Sequence, residues 1–122
     1  MKKLLLILSL MLAIVPLTQA NGPLTDTELE KGPVIRYYPN PIRNILTLEV
    51  ELEYVNQYQS LEVKVVNLLG QEMVKPVVKD YAGLTTEVKV DLTDVPAGVY
   101  FLEVYSSVNG NSVKQTRKIT KS

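Results

Sequence analysis

Few side chains in this 122-residue sequence could support catalysis or metal binding, because it contains neither histidine nor cysteine. Serine and cysteine triads, thiol redox chemistry and nearly all zinc or copper sites are therefore excluded. Carboxylates, lysines and tyrosines are the groups that remain. On this basis we predict no catalytic residue, no metal site and no cofactor.

The most suggestive carboxylates alternate along one predicted strand: Glu49, Glu51 and Glu53. A cation site could be imagined there, but side chains two residues apart on a strand do not converge on one ion without a loop. We interpret them as a solvated face. Nearer the amino terminus, Asp26, Glu28 and Glu30 lack the glycine-centred spacing of a calcium loop, so they are interpreted as solvating charge.

The seven tyrosines offer a second kind of chemistry, the stacking of rings on sugars. Tyr100 alternates with Leu102 and Val104, which predicts that its ring lies in the core. Four others are freer to contact a ligand: Tyr37, Tyr38, Tyr54 and Tyr58. A glycosidase site would need two carboxylates facing across a cleft, which a small sandwich does not offer. We therefore predict that the protein is not an enzyme.

The first twenty residues have the order of a secretory signal peptide. A basic start, Met1-Lys2-Lys3, is followed by an apolar run over residues 4–17 and by small residues at Thr18 and Ala20. The run is shorter than the roughly 20 residues of a membrane span. We predict cleavage between Ala20 and Asn21, export through the inner membrane, and no integral membrane segment afterwards.

The net charge and the absence of cysteine restrict which partners the mature chain can bind and how its fold can be stabilised. Removal of residues 1–20 leaves eleven basic and thirteen acidic residues, a formal charge of −2. Such a domain is a poor partner for nucleic acid, whose binding depends on lysine and arginine contacts to phosphate. Without cysteine there is neither a disulfide nor a lipid-anchored amino terminus, so burial alone must hold a single domain together.

The rest of the chain divides into a polar segment and a series of strands. Residues 21–33 contain two Gly-Pro breaks and are predicted to form a flexible arm. From Val34 onward the pattern is β, and period-two alternation predicts strands over residues 46–53, 61–69, 72–79, 86–92, 99–105 and 112–119. The second is expected to carry a bulge at Val66, where the alternation changes phase.

Local signals in these strands favour a sandwich. Pro76 confines its strand to a sheet edge, and Asn109-Gly110 predicts a tight hairpin. The last strand is heavily charged, as an edge strand protected from aggregation should be. We predict an all-β fold, a single immunoglobulin-like antiparallel β-sandwich of about seven strands over residues 34–122.

Three segments, taken in order, resemble one protein family. They are Tyr38-Pro39-Asn40-Pro41, residues 65–72 (VVNLLGQE), and residues 92–101 (LTDVPAGVYF), the last followed by a basic end, Lys118-Ile119-Thr120-Lys121. Their order and spacing resemble the type A C-terminal sorting domain of the type IX (Por) secretion system. The resemblance covers about residues 35–121. It assigns a sorting motif to Tyr38, Pro39, Asn40, Pro41, Gly70, Pro96, Gly98, Tyr100, Lys118 and Lys121.

The resemblance also implies partners and a location. Domains of this family are recognised in the periplasm by outer-membrane components of the type IX translocon. A sortase-like protease then usually removes the domain and joins the cargo to lipopolysaccharide at the cell surface. The expected location is the periplasm, and then the cell surface or the extracellular space.

The motif residues also have a purely structural interpretation. Proline fixes φ at Pro39 and Pro41, and glycine at positions 70 and 98 permits backbone angles that a side chain would penalise. Tyr100 can bury its ring if its hydroxyl finds a partner. The motif residues would then serve folding alone.

One departure from the family is large, since only residues 21–33 precede the domain where a cargo would normally lie. We expect a stand-alone secretion-sorting module, recognised by a face or edge strand near the carboxyl terminus. There the final five residues are expected to bury little beyond Ile119. The alternative is a small cell-surface adhesion or carbohydrate-binding sandwich that shares only the architecture.

Overall fold

The computed structural model describes residues 32–122, which form two antiparallel sheets packed face to face. Seven strands lie within these residues: β1 Val34–Tyr38, β2 Ile45–Glu51, β3 Ser60–Val66, β4 Val77–Asp80, β5 Thr85–Asp91, β6 Gly98–Val108 and β7 Asn111–Lys121. One sheet has the order β1-β2-β5 and the other β4-β3-β6-β7. The predicted all-β sandwich of about seven strands is confirmed.

The period-two pattern of the sequence accounts for the core. Along β2, Leu46, Leu48 and Val50 are fully buried, and the alternate residues of β5 are buried in the same way. Inward faces of both sheets interdigitate at this layer, as in other aligned sandwiches. Each fully buried aliphatic side chain stabilises the fold by about 1.5–3 kcal/mol.

Two local predictions are confirmed. The strand predicted over 72–79 forms only as Val77–Asp80, after Pro76 and not through it. Within residues 32–122 it pairs with β3 alone, so the predicted edge position is confirmed. Asn109 and Gly110 have φ of +51° and +83° and connect β6 to β7 in a two-residue hairpin. Both results follow from local backbone chemistry, namely the missing amide of proline and the left-handed conformations that the hairpin requires.

Other local predictions differ from the structure. The bulge predicted at Val66 is wrong, because the pairing of β3 with β6 continues in register to Val66, where the strand ends. Pro33, assigned to the flexible arm, is buried, and its carbonyl accepts a hydrogen bond from Gln115 Nε2 at 2.8 Å. The signal peptide, its cleavage site at Ala20 and Asn21, and residues 21–31 lie outside the described residues.

Each side of the sandwich brings edge strands of the two sheets together. On one side the Tyr37 hydroxyl of β1 donates to the Lys118 carbonyl of β7 at 3.1 Å. On the other side Lys79 Nζ of β4 donates to the Glu87 carbonyl of β5 at 2.6 Å. Residues 32–122 include no helix long and apolar enough to cross a bilayer.

Candidate functional site

The segments that carry the family resemblance meet at one end of the sandwich. We call this the motif end and define it by residues 39–44, 67–71, 92–98 and 118–122. Pairing sets this arrangement: Gly98 at the start of β6 pairs with Lys121 at the end of β7, and Ile45 pairs with Asp91. Since β3 ends only three positions further along β6, its turn also emerges here. Residues far apart in the sequence therefore form one surface.

Ile42 joins the two sheets at the motif end. Its side chain is fully buried, its amide donates to the Thr120 carbonyl at 2.8 Å, and its carbonyl accepts from the Ser122 amide at 2.8 Å. These bonds form a short parallel bridge alongside the end of β7. The preceding residues, Pro39 to Pro41, are exposed, and both peptide bonds to proline are cis. The proline motif is therefore followed directly by a buried residue, Ile42, that is hydrogen-bonded to the carboxyl-terminal residues.

Lys121 points into the sandwich. The residue is only 7% exposed, and its Nζ donates to the Val95 carbonyl at 2.9 Å. An unbonded amine would be costly to bury, so this bond is what makes the inward orientation tolerable. Lys118 is exposed by contrast, and only its backbone carbonyl is engaged, by Tyr37. The expectation that the final five residues bury little beyond Ile119 is wrong, because Lys121 packs inside.

Tyr100 stabilises the corner between β5 and β6. Its ring is buried, and its hydroxyl donates to the Pro96 carbonyl at 2.6 Å. A tyrosine near the start of a strand that bonds a few residues upstream is the tyrosine corner of immunoglobulin-like sandwiches. The prediction that Tyr100 is a core residue is confirmed. Val95, in the same corner, is the acceptor for Lys121, so one short segment is tied to two strands.

The two motif glycines differ in their backbone conformation. Gly70 has a φ of +85°, and a Cβ placed there would meet no atom within 4 Å, so the left-handed backbone is the reason for glycine. Gly98 has a φ of +157°, also in a region that side chains rarely adopt, although a Cβ there would make only an ordinary contact of 3.7 Å with the ring of Tyr100. The conformational argument therefore holds for both glycines, and neither is required by lack of space.

Gly70 belongs to a tightly bonded turn that exposes two leucines. Asn67 Oδ1 accepts from the amides of Leu69 and Gln71 at 2.9 and 3.0 Å, and the Asn67 carbonyl accepts from the Gly70 amide at 3.0 Å. Leu68 is 67% exposed and Leu69 is 85% exposed. Because the turn is fixed by its own hydrogen bonds, the two apolar side chains are held in solvent at a defined position.

Tyr38 lies near Glu49, one of the three glutamates predicted to form a solvated face, on the outer face of the three-stranded sheet. Its hydroxyl donates to Glu49 Oε2 at 3.0 Å, and this bond raises the pKa of Tyr38. Glu49 and Glu51 also form ion pairs with Arg36, at 3.7 and 3.1 Å. In the part of the chain that the structure describes, no three acidic side chains gather into a metal-binding group. Glu49 and Glu51 are therefore paired on a partly exposed surface, and Glu53 is exposed to solvent.

Two residues of this end were not singled out from the sequence. Asn67 has a recognisable signal, because an asparagine just before a glycine is typical of a side-chain-bonded turn. Ile42 has none, since its partners in β7 lie about eighty positions away. Tyr37, which was predicted to be free for a ligand, instead donates to the Lys118 carbonyl just outside this end. Only the assembled sandwich brings these groups together.

Comparison with known proteins identifies a family and a solved structure of similar fold. Residues 36–122 match the model of a family described as secretion system C-terminal sorting domain. The crystal structure of dimeric latent PorU from Porphyromonas gingivalis matches with a TM-score of 0.61 and 18% sequence identity, over 71% of this chain. The chain spans only 9% of the length of that PorU chain, so the likeness concerns the sandwich fold. No curated protein matches the sequence significantly.

Proposed function

The chain belongs to the family of secretion system C-terminal sorting domains, and from this premise we propose that it is a non-catalytic recognition module. Its partners are outer-membrane components of the type IX translocon, which bind the motif end. One observation carries the proposal: the three segments of the resemblance and the basic end that follows them meet at one end of the sandwich. Residues that served only the core would have no need to share one end of the molecule.

At the motif end the buried residues hold the surface in place, and the exposed residues contact the partner. Ile42, Tyr100 and Lys121 build the surface from inside and are inaccessible to a partner. Leu68 and Leu69 project from the rigid turn and supply the apolar anchors that interaction surfaces typically use. Lys118 is exposed near the same end, on β7, which is separated from β3 by β6. An exposed charge there guides encounter more than it adds affinity.

The same proposal includes a route. The signal peptide over residues 1–20 carries the chain across the inner membrane, and cleavage between Ala20 and Asn21 releases it into the periplasm. Translocon binding then delivers it to the cell surface or the extracellular space. A sortase-like protease that acts on family members is a second partner at the surface.

The test uses the full chain with a fluorescent reporter inserted between Asn21 and Gly22, in a host with and without the type IX translocon. One variant, Leu68→Ser with Leu69→Ser, removes the anchors. The matched control, Tyr54→Ser with Val55→Ser, removes two apolar side chains of similar exposure (60% and 55%) from the opposite end. Thermal melts of the purified variants check that both still fold.

We expect surface delivery of the parent and of the control, and periplasmic retention of the leucine variant. Delivery should stop in the host without the translocon. If the leucine variant is exported like the parent, docking does not use this turn and that part of the proposal is wrong. If the folded parent itself remains in the periplasm, the sorting function is refuted.

A further inference from the structure

The end of the sandwich opposite the motif end contains an open cleft of about 510 Å³. It lies between the β2–β3 loop, the β4–β5 loop and the β6–β7 hairpin. We call it the tyrosine cleft, and its principal lining residues are Asn56, Tyr58, Gln59, Asp80, Tyr81 and Asn109. Its volume is within the roughly 300–1,000 Å³ that small-molecule sites occupy.

Gln59 fixes the three walls of the cleft relative to one another. Its amide donates to the Ser107 carbonyl at 2.8 Å, and its own carbonyl accepts from the Tyr81 amide at 3.0 Å. Its side-chain Oε1 accepts from the Asn109 amide at 3.1 Å. One residue therefore bonds each of the neighbouring segments, so a ligand would find the cleft already assembled.

Two aromatic rings form the apolar part of the cleft. The centroids of Tyr58 and Tyr81 lie 6.3 Å apart, with the ring planes inclined at 39°. The Tyr81 hydroxyl is bonded to Ser106 Oγ inside the sandwich, which fixes the direction of its ring. Rings inclined in this way do not form a flat slot for a planar base, but they can each offer a surface to a puckered ring.

Polar groups around the rings remain available. The Asp80 carboxylate and the Tyr58 hydroxyl have no hydrogen-bond partner among residues 32–122. The carboxylate can accept from hydroxyl groups, and the phenol can both donate and accept. The negative charge of Asp80 disfavours phosphate-bearing ligands, whereas an uncharged polyol meets no such repulsion.

We propose that the tyrosine cleft binds a saccharide through one pyranose ring. The C–H groups on a pyranose face complement the electron-rich face of a tyrosine ring, and its rim of hydroxyls matches Asp80 and Tyr58. This site is independent of docking at the motif end, because the two surfaces lie at opposite ends of the strands. A sorting domain with this cleft has a second, sugar-binding surface.

The experiment records backbone amide shifts of the exported protein by NMR during titration with D-glucose, D-galactose, D-mannose and N-acetyl-D-glucosamine. Each sugar is raised to roughly 50 mM, since an open cleft and a small ligand favour weak, millimolar binding. D-Sorbitol, which has the hydroxyls without the ring face, is the ligand control. Tyr58→Ala and Asp80→Ala test the cleft, and Tyr54→Ala, on the same loop but outside the cleft, is the matched control.

We expect at least one pyranose, and not sorbitol, to shift the amides of Tyr58, Asp80 and Asn109 saturably. Tyr58→Ala and Asp80→Ala should each lower the affinity about fivefold to tenfold, while Tyr54→Ala changes it less than about twofold. The proposal is overturned if no sugar shifts these amides saturably, or if sorbitol does so equally. It is also overturned if Tyr54→Ala weakens binding as much as Tyr58→Ala does.

Discussion

The two long sides of the sandwich are closed in different ways. Where β1 meets β7, a series of hydrogen bonds runs along the last strand. Gln115 donates to the Pro33 carbonyl, and Tyr37 donates to the Lys118 carbonyl. Further along, the Ile42 amide donates to the Thr120 carbonyl, and the Ile42 carbonyl accepts from the Ser122 amide. Where β4 meets β5, one exposed lysine reaches across, from Lys79 to the Glu87 carbonyl. We call these the latched side and the open side.

This difference shows what the terminal residues of this chain do for the fold. An edge strand normally presents unpaired carbonyls that invite pairing with another chain. On the latched side the Thr116, Lys118 and Thr120 carbonyls all accept hydrogen bonds from groups of this chain. The carboxyl-terminal residues therefore cover an edge and close the core. Removing these residues should therefore destabilise the fold, so a loss of recognition in the shortened chain could not be separated from unfolding.

The largest effect should follow removal of residues 118–122. We expect a loss of roughly 4–7 kcal/mol in the free energy of unfolding, from the burial of Ile119 and from several hydrogen bonds worth about 1 kcal/mol each. That is a large part of the 5–15 kcal/mol of a typical domain. Urea denaturation measures it, and a loss below about 2 kcal/mol would show that the latched side is not essential to the fold.

The two terminal lysines should differ from each other. Lys121→Met keeps the buried stem but leaves the Val95 carbonyl without its donor, so a loss of about 1–3 kcal/mol is expected. Lys118→Met changes an exposed side chain and should stay within about 0.5 kcal/mol. Parallel urea melts compare the two variants. Equal losses would mean that the buried amine has no special role.

Adjacent tyrosines of β1 provide a smaller test of the latch. Tyr37→Phe removes the bond to the Lys118 carbonyl and should lower the free energy of unfolding by about 1 kcal/mol. Tyr38→Phe removes an exposed bond to Glu49 and should leave the stability unchanged within error. Thermal denaturation compares the two variants. A larger loss of stability in Tyr38→Phe than in Tyr37→Phe would contradict the assignment of Tyr37 to the latched side.

The smallest effect is expected on the open side. Lys79→Met removes the bond that β4 makes to the Glu87 carbonyl, but the group is exposed and water can replace it. The expected loss is about 0.5 kcal/mol or less. A thermal melt beside that of Tyr37→Phe gives the comparison. Should Lys79→Met prove the more damaging of the two, the distinction between the sides would fail.

Strand positions were predictable from alternation because each sheet has one buried face. The strand predicted over 86–92 is observed as Thr85–Asp91, a shift of one residue. The strand predicted over 99–105 continues to Val108, because its pairing with β7 extends to the hairpin. The added part includes Ser106, a polar residue that is fully buried and bonded to the Tyr81 hydroxyl. Hydrophobic pattern cannot reveal a buried hydroxyl whose partner lies 25 residues away.

The sequence by itself determined most of the strand positions, the Asn109-Gly110 hairpin, the edge position after Pro76 and the family signature, since each depends on residues close together in the chain. It did not give the bounds of β1 or the start of β4. Tertiary structure alone decided that the signature segments share one end, and that Lys121 is buried while Lys118 is exposed. Strand parity places Lys121 on the same face as Ile119, but parity does not say how far along the strand the core extends. That limit is set by Ile42 and Val95, which reach the last strand only once the two sheets have packed.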